Sequence, residues 1–312
     1  MDSLQRILVV VDPTAASHPA VEKGAHLARI AHAHLELVIC DYSSEIAPSH
    51  FADAETYDVA AERYRAPHTD KLEALASPLR TLGLSVDVDV QLETPLHVAI
   101  LRKIRATRPD IVVKDTHYHT VIRRTLLTNT DWHLIRECPV PLLLVRRESW
   151  TGGPLRVGAA VDPGHLRDEP AALDRAILDA VERLKTTCGA HTFAVHVFAA
   201  LRGLRTGAAQ NDECSFGRGA LGKVVQELRA ARHEQFERLL QGRAFAPAER
   251  FFLDGDVIET LPLFVAEQNA DILALGAVAR GRAYELFVGS TAERLLDRLP
   301  CDVLIVKATG AS

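Results

Sequence analysis

Val9-Val10-Val11-Asp12-Pro13, near the start of the chain, returns as Ala159-Ala160-Val161-Asp162-Pro163 in its middle. Each stretch is an apolar run halted by aspartate and proline. The run has the character of a strand buried on both faces of a parallel sheet, and the Asp-Pro pair ends it. Outward from the first copy, Pro19 to His32 carries Ala20, Val21, Ala25, Leu27, Ala28 and Ile30 at helical spacing. Each copy closes on a further apolar strand, Pro141-Leu142-Leu143-Leu144-Val145 in one and Asp302-Val303-Leu304-Ile305-Val306 in the other. A repeat of this length predicts two domains, 1–147 and 155–312, joined by a linker from Glu148 to Pro154 that contains Thr151-Gly152-Gly153-Pro154.

Strand and helix signals alternate in the same order in both halves. In the first they are a strand over Leu35 to Cys40, a long helix over Thr56 to Leu82, an alternating half-buried strand over Ser85 to Val90, a helix over Leu96 to Ala106, a strand over Ile111 to Val113 and a helix from Asp131. The predicted class is α/β, two tandem doubly wound domains with parallel five-stranded sheets. In such sheets ligands lie beyond the carboxyl ends of the strands. That rule puts Asp12, Asp162, the turn after Val113 and the turn after Leu275 on the binding edge.

The bulk properties exclude several classes. The chain has 312 residues and a net charge of −5, which leaves no basic footprint for nucleic acid. No apolar run reaches the roughly 18 residues of a membrane span. Met1 to Arg6 leads into the first strand without the apolar core of a signal peptide. The five cysteines are scattered and form no CxxC, so reduced, buried thiols and a cytoplasmic setting are expected.

The turns before the closing strands differ between the copies. In the second, Leu275-Gly276-Ala277-Val278-Ala279-Arg280-Gly281 is followed by Gly289-Ser290-Thr291. Gly276 permits close approach of backbone to a ligand. Ser290 and Glu293 have capping-box spacing, which predicts a helix N-terminus with free N–H groups and affinity for an anion. The same residues also suit a plain turn and a plain helix cap. In the first copy Asp115 replaces Gly276, Tyr118 replaces Ala279, Thr128 replaces Gly289 and Asn129 replaces Ser290. A carboxylate at that place would oppose a phosphate by about 4 kcal/mol at an effective dielectric near 20.

The spacing of Gly276, Gly289 and Ser290 resembles the Gly-2x-Gly-9x-Gly-(Ser/Thr) motif of ATP-binding universal stress proteins, with Ala279 standing for the second glycine. Asp162 matches the family's adenosine-contacting aspartate, and Val197 an adenine-packing position. Lys114-Asp115-Thr116-His117-Tyr118-His119 and Thr130-Asp131-Trp132-His133-Leu134 resemble the tandem E-type subgroup of these proteins, and the likeness runs along the whole chain. The resemblance implies a stress-resistance role by ligand binding, and final strands that pair the two domains as an intramolecular pseudo-dimer, open to further dimerisation. The implied nucleotide site comprises Asp162, Val197, Leu275, Gly276, Ala279, Arg280, Gly289, Ser290 and Thr291. ATP or another adenine nucleotide is the implied ligand.

His97, His117, His119 and His133 form a lesser candidate, since His-x-His can ligate a metal. No cysteine or carboxylate completes an obvious zinc spacing, Asp115 and Asp131 suit hydrogen bonds to the histidines, and no metal is predicted. Trp132 suits a core position. Two other functions compete with nucleotide binding. One is an amphiphile or lipid-precursor site beneath the loop Leu201 to Gly222 and the helix Leu221 to Leu240. The other is a slow ATP hydrolase, although no Walker A sequence, no Ser-Gly-Gly phosphate loop after either first strand and no phosphate-clamping lysine is present. The expected partners are a small molecule and other proteins, and an enzyme is not expected.

Overall fold

The computed structural model describes residues 3–119, 124–150, 152–164, 172–199, 218–277 and 290–308. The first half runs β1 (Arg6–Val10), α1 (Pro19–Ala31), β2 (His34–Asp41), α2 (Ala54–Thr81), β3 (Val86–Leu92), α3 (Leu96–Thr107), β4 (Ile111–Asp115), a short hairpin β5 (His117–His119) and β6 (Arg124–Leu126), α4 (Asn129–Glu137) and β7 (Leu142–Val145). The second runs β8 (Arg156–Ala160), α5 (Ala172–Cys188), β9 (His191–Phe198), α6 (Arg218–Leu240), β10 (Arg250–Asp254), α7 (Val257–Glu267), β11 (Ile272–Gly276), α8 (Ser290–Arg298) and β12 (Asp302–Val306).

The two five-stranded parallel sheets are joined into one. The strand order is β10-β9-β8-β11-β12-β7-β4-β1-β2-β3, ten strands in all. Within this sheet every pairing inside a half is parallel, and β12 pairs with β7 antiparallel, Leu304 opposite Leu143; the hairpin β5–β6 is a separate antiparallel pair. The closing strands therefore pair as the resemblance implied. Their side chains explain it: Leu142 to Val145 and Val303 to Val306 are buried on both faces, which an edge strand could not supply. Edges fall instead to β3 and β10. In β3, Val86 and Val90 are buried while Asp87 faces water, the half-buried pattern that the alternation predicts.

Helices cover both faces. Residues of α1, α2, α5 and α6 pack in one core, with Leu27, Leu72, Leu178 and Phe236 fully buried. Residues of α3, α4, α7 and α8 pack in the other, around Ile104, Leu134, Val265 and Leu296. Trp132 packs against this second core from a half-buried position. Gly158 in β8 sits where a Cβ would meet Phe193 Cζ at 2.5 Å and Leu273 Cδ1 at 2.9 Å. Gly158→Val is expected to cost about 1–3 kcal/mol through overpacking, read as a lowered urea midpoint. An unchanged midpoint would show that Phe193 yields freely. No described helix is long and apolar enough to cross a membrane.

Candidate functional site

Strand direction brings Asp162, Val197, Leu275 and Gly276 to one edge of the second-half sheet. Asp162 follows β8, Val197 lies near the end of β9 opposite Leu253, and Gly276 ends β11 opposite Val306. Asp162 is half-exposed. Its backbone N–H donates to Asp174 Oδ1 at 2.9 Å, and its Oδ1 accepts from the Gly164 N–H at 3.4 Å. The Arg232 guanidinium of α6 lies against Gly164, in the space that a side chain there would need.

Beneath this edge sits a histidine that sequence reasoning did not single out. His196 on β9 is buried, and its Nδ1 lies 2.9 Å from the Val161 carbonyl, a contact that only a donor satisfies. Burial lowers its pKa, so the ring is neutral and Nε2 presents a lone pair. The rings of Phe252 and Phe236 flank it at 5.3 and 6.2 Å. Its signal in the sequence was a polar residue inside the otherwise apolar run of β9.

Gly276 has a packing reason of its own. A Cβ there would meet the Leu173 side chain at 2.5 Å, so the glycine lets the first turn of α5 close onto β11. Ser290 and Thr291 lie in α8 where its described part begins, and in the first half Thr128 caps α4. Ala279, Arg280 and Gly289 lie outside the described residues, as does the loop 201–217.

The equivalent edge of the first half is filled by its own side chains. Asp115 ends β4 and accepts the Ala20 N–H of α1 at 2.9 Å, so a carboxylate sits at that helix N-terminus. Desolvation raises its pKa to about 6. Lys114 pairs with the fully buried Asp131 at 2.8 Å, and Asp131 forms a capping box with Thr128. The expectation that Asp115 and Asp131 hydrogen-bond to the histidines is corrected here: their partners are a helix terminus, a lysine and a threonine. Both carboxylates point back into the fold because burial demands a donor for each.

Sequence reasoning also missed a polar cluster at the end of β2. Asp41 Oδ2 accepts the Tyr64 hydroxyl at 2.8 Å and lies 3.1 Å from His68 Nε2. Tyr64 and His68 are four apart on α2, so one helix face carries both. Asp12 accepts the Thr14 N–H and hydroxyl at 2.8 and 2.7 Å. Among the described residues the two strand-end edges thus differ in chemistry: polar and charged in the first half, aromatic beside Asp162 in the second.

Of the histidines, His97 and His133 come together, joined by Glu137, which the sequence reading had not included. His117 and His119 lie on β5, and their side chains fall outside the described residues.

Fold and edges define a tandem doubly wound α/β protein with two quasi-equivalent strand-end sites. The sequence model of the universal stress protein family matches residues 3–146 and again 156–307. The chain therefore belongs to the universal stress protein family. It is 25% identical over 317 residues to universal stress protein E of Escherichia coli K12, covering 98% of this chain and 95% of that one. A solved protein of Pseudomonas aeruginosa PAO1, described as functionally unknown, superposes with a TM-score of 0.71 at 21% identity, covering 98% and 93% of the two chains. A universal stress protein from Archaeoglobus fulgidus superposes at 0.61 and 14% identity, with 97% and 98% covered.

Proposed function

We propose that this universal stress protein is a cytoplasmic ligand-binding protein that holds an adenine nucleotide, ATP foremost, on the second-half edge. One observation carries the reading. At matching places in the two halves, the first presents the Asp115 carboxylate and the second presents Gly276, beside Asp162 and ahead of the α8 N-terminus. A helix N-terminus attracts phosphate, and a carboxylate in its path repels it. In this reading Asp162 accepts ribose hydroxyls and Val197 packs against the base. Binding rather than turnover is the assigned role, since no described side chain on this edge clamps a phosphate for transfer.

A second reading has an apolar observation behind it. Val224 and Leu228 on α6 are exposed, and α6 stands over the aromatic cluster of Phe236 and Phe252. An amphiphile, such as a lipid precursor, would cover them.

Mass spectrometry of the small molecules released on denaturing the purified protein separates the two. ATP or ADP at about one equivalent, lost in Asp162→Ala with the fold intact, supports the nucleotide reading. An amphiphile recovered instead, or ATP affinity unchanged in Asp162→Ala, sinks it. The expected loss in that variant is about 10-fold or more, the scale of one charge-assisted hydrogen bond.

A further inference from the structure

Two buried polar atoms near the second-half edge have no hydrogen-bond partner, and both belong to residues beside the turn that carries Asp162. One is His196 Nε2, on a residue with 5% of its surface exposed. The other is Nη1 of Arg232 on α6. An unpaired buried polar group costs about 1–3 kcal/mol, and more when it is charged. Folded proteins keep few such atoms, and an acceptor and a donor left unpaired side by side point to a group from outside the chain.

Three elements converge there. β9 carries His196, whose Nδ1 is committed to the Val161 carbonyl at 2.9 Å and lies 3.9 Å from Asp162 Oδ1. The turn after β8 carries Asp162 and Gly164. From α6, Arg232 Nη1 takes the place that a Cβ on residue 164 would occupy, so glycine there makes room for the guanidinium. Phe236, one turn further along α6 and fully buried, fixes the helix at this level. Burial lowers the His196 pKa and the Arg232 charge adds to that, which keeps the Nε2 lone pair available at neutral pH.

An imidazole lone pair, a guanidinium N–H and a carboxylate together suit neighbouring hydroxyls, since each hydroxyl donates one bond and accepts others. A full charge on the ligand would gain from one of Asp162 and Arg232 what it loses to the other. A neutral diol uses both without that loss. We infer that His196 and Arg232 are specificity residues that, with Asp162, read the vicinal diol of a ribose. One hydroxyl donates to Asp162, and the other donates to His196 Nε2 and accepts from Arg232 Nη1. Resting on the nucleotide reading above, this assignment makes the second half selective for ribonucleotides over their deoxy counterparts.

The test is calorimetric titration of ATP and of 2′,3′-dideoxy-ATP into the full chain. Wild type is expected to prefer ATP by about 100-fold or more, the scale of two hydroxyls whose buried partners otherwise go unpaired. His196→Asn keeps an N–H for the Val161 carbonyl but has no acceptor at the Nε2 place. Arg232→Met keeps the length of the side chain but has no donor. Each is expected to weaken ATP by about 10-fold while dideoxy-ATP stays within about two-fold, and His196→Gln, which restores an acceptor, to recover part of the loss. Arg232→Met, at a half-exposed position, serves if His196→Asn fails to fold. Equal weakening of both nucleotides would show that the two residues only support the fold, and overturns the assignment. If ATP binding is lost in Asp162→Ala but the preference for ATP survives in His196→Asn and Arg232→Met, the assignment falls and the nucleotide reading stands. Wild type that binds no ATP removes both.

Discussion

Replacing Asp302 with alanine is expected to lower the free energy of unfolding by about 3–5 kcal/mol, the cost of breaking a buried ion pair by removing one partner. Asp302 opens β12 and has no exposed surface. Its carboxylate accepts four donors: the backbone N–H groups of Arg146 and Arg147 at 2.8 and 3.1 Å, Trp150 Nε1 at 2.7 Å and Lys23 Nζ at 2.6 Å. Lys23 is itself buried in α1, where desolvation pulls its pKa down against the attraction of Asp302. Its other contacts are the Arg147 carbonyl at 2.6 Å and the Trp150 ring at 5.3 Å. Without Asp302, an ammonium and three N–H groups lose their acceptor together. Lys23→Met is expected to cost less, because the carboxylate keeps three N–H donors. Urea unfolding of both variants checks this ordering. A loss below about 1 kcal/mol for Asp302→Ala, or a larger loss for Lys23→Met, would show that water or side-chain rearrangement rescues the node.

That node also marks where sequence reasoning stopped. Strand and helix identities came from local periodicity, and the position of Asp162 at a strand end followed from strand order alone. Both signals live within a dozen residues. Asp302, by contrast, meets Lys23 across 279 positions of sequence, and Trp150 reaches it from within what looked like a mere linker. Nothing local distinguishes Asp302 from any polar residue before a strand. Its role exists only because β12 and β7 pair and bring α1 and the linker to one place. Glu137 was invisible beside His97 for a similar reason, since α3 and α4 become neighbours only when folded.

Asp115→Asn is expected to stabilise the protein at pH 8 and to lose that advantage near pH 4. Burial raises the Asp115 pKa from 3.8 to about 6, the Ala20 N–H, Lys114 and Lys23 lower it in part, and Asp302 opposes them. The folded state therefore holds the proton more tightly than the unfolded chain. Protonated Asp115 contributes stability in full below pH about 4, and that contribution is lost as pH rises through about 6. Above pH 6 the fold carries a buried carboxylate whose Oδ2 finds no hydrogen-bond partner in the structure. Asparagine cannot ionise, and its carbonyl can still accept the Ala20 N–H. A shift of this size corresponds to about 1–3 kcal/mol, so the stabilities of wild type and variant should diverge by that amount between pH 4 and pH 8. Unfolding midpoints measured across the range decide it. A constant difference at every pH would mean that Asp115 titrates as an ordinary aspartate. A difference of opposite sign would mean that its charge, held by the α1 N-terminus and by Lys23, is what the first half keeps in place of a phosphate.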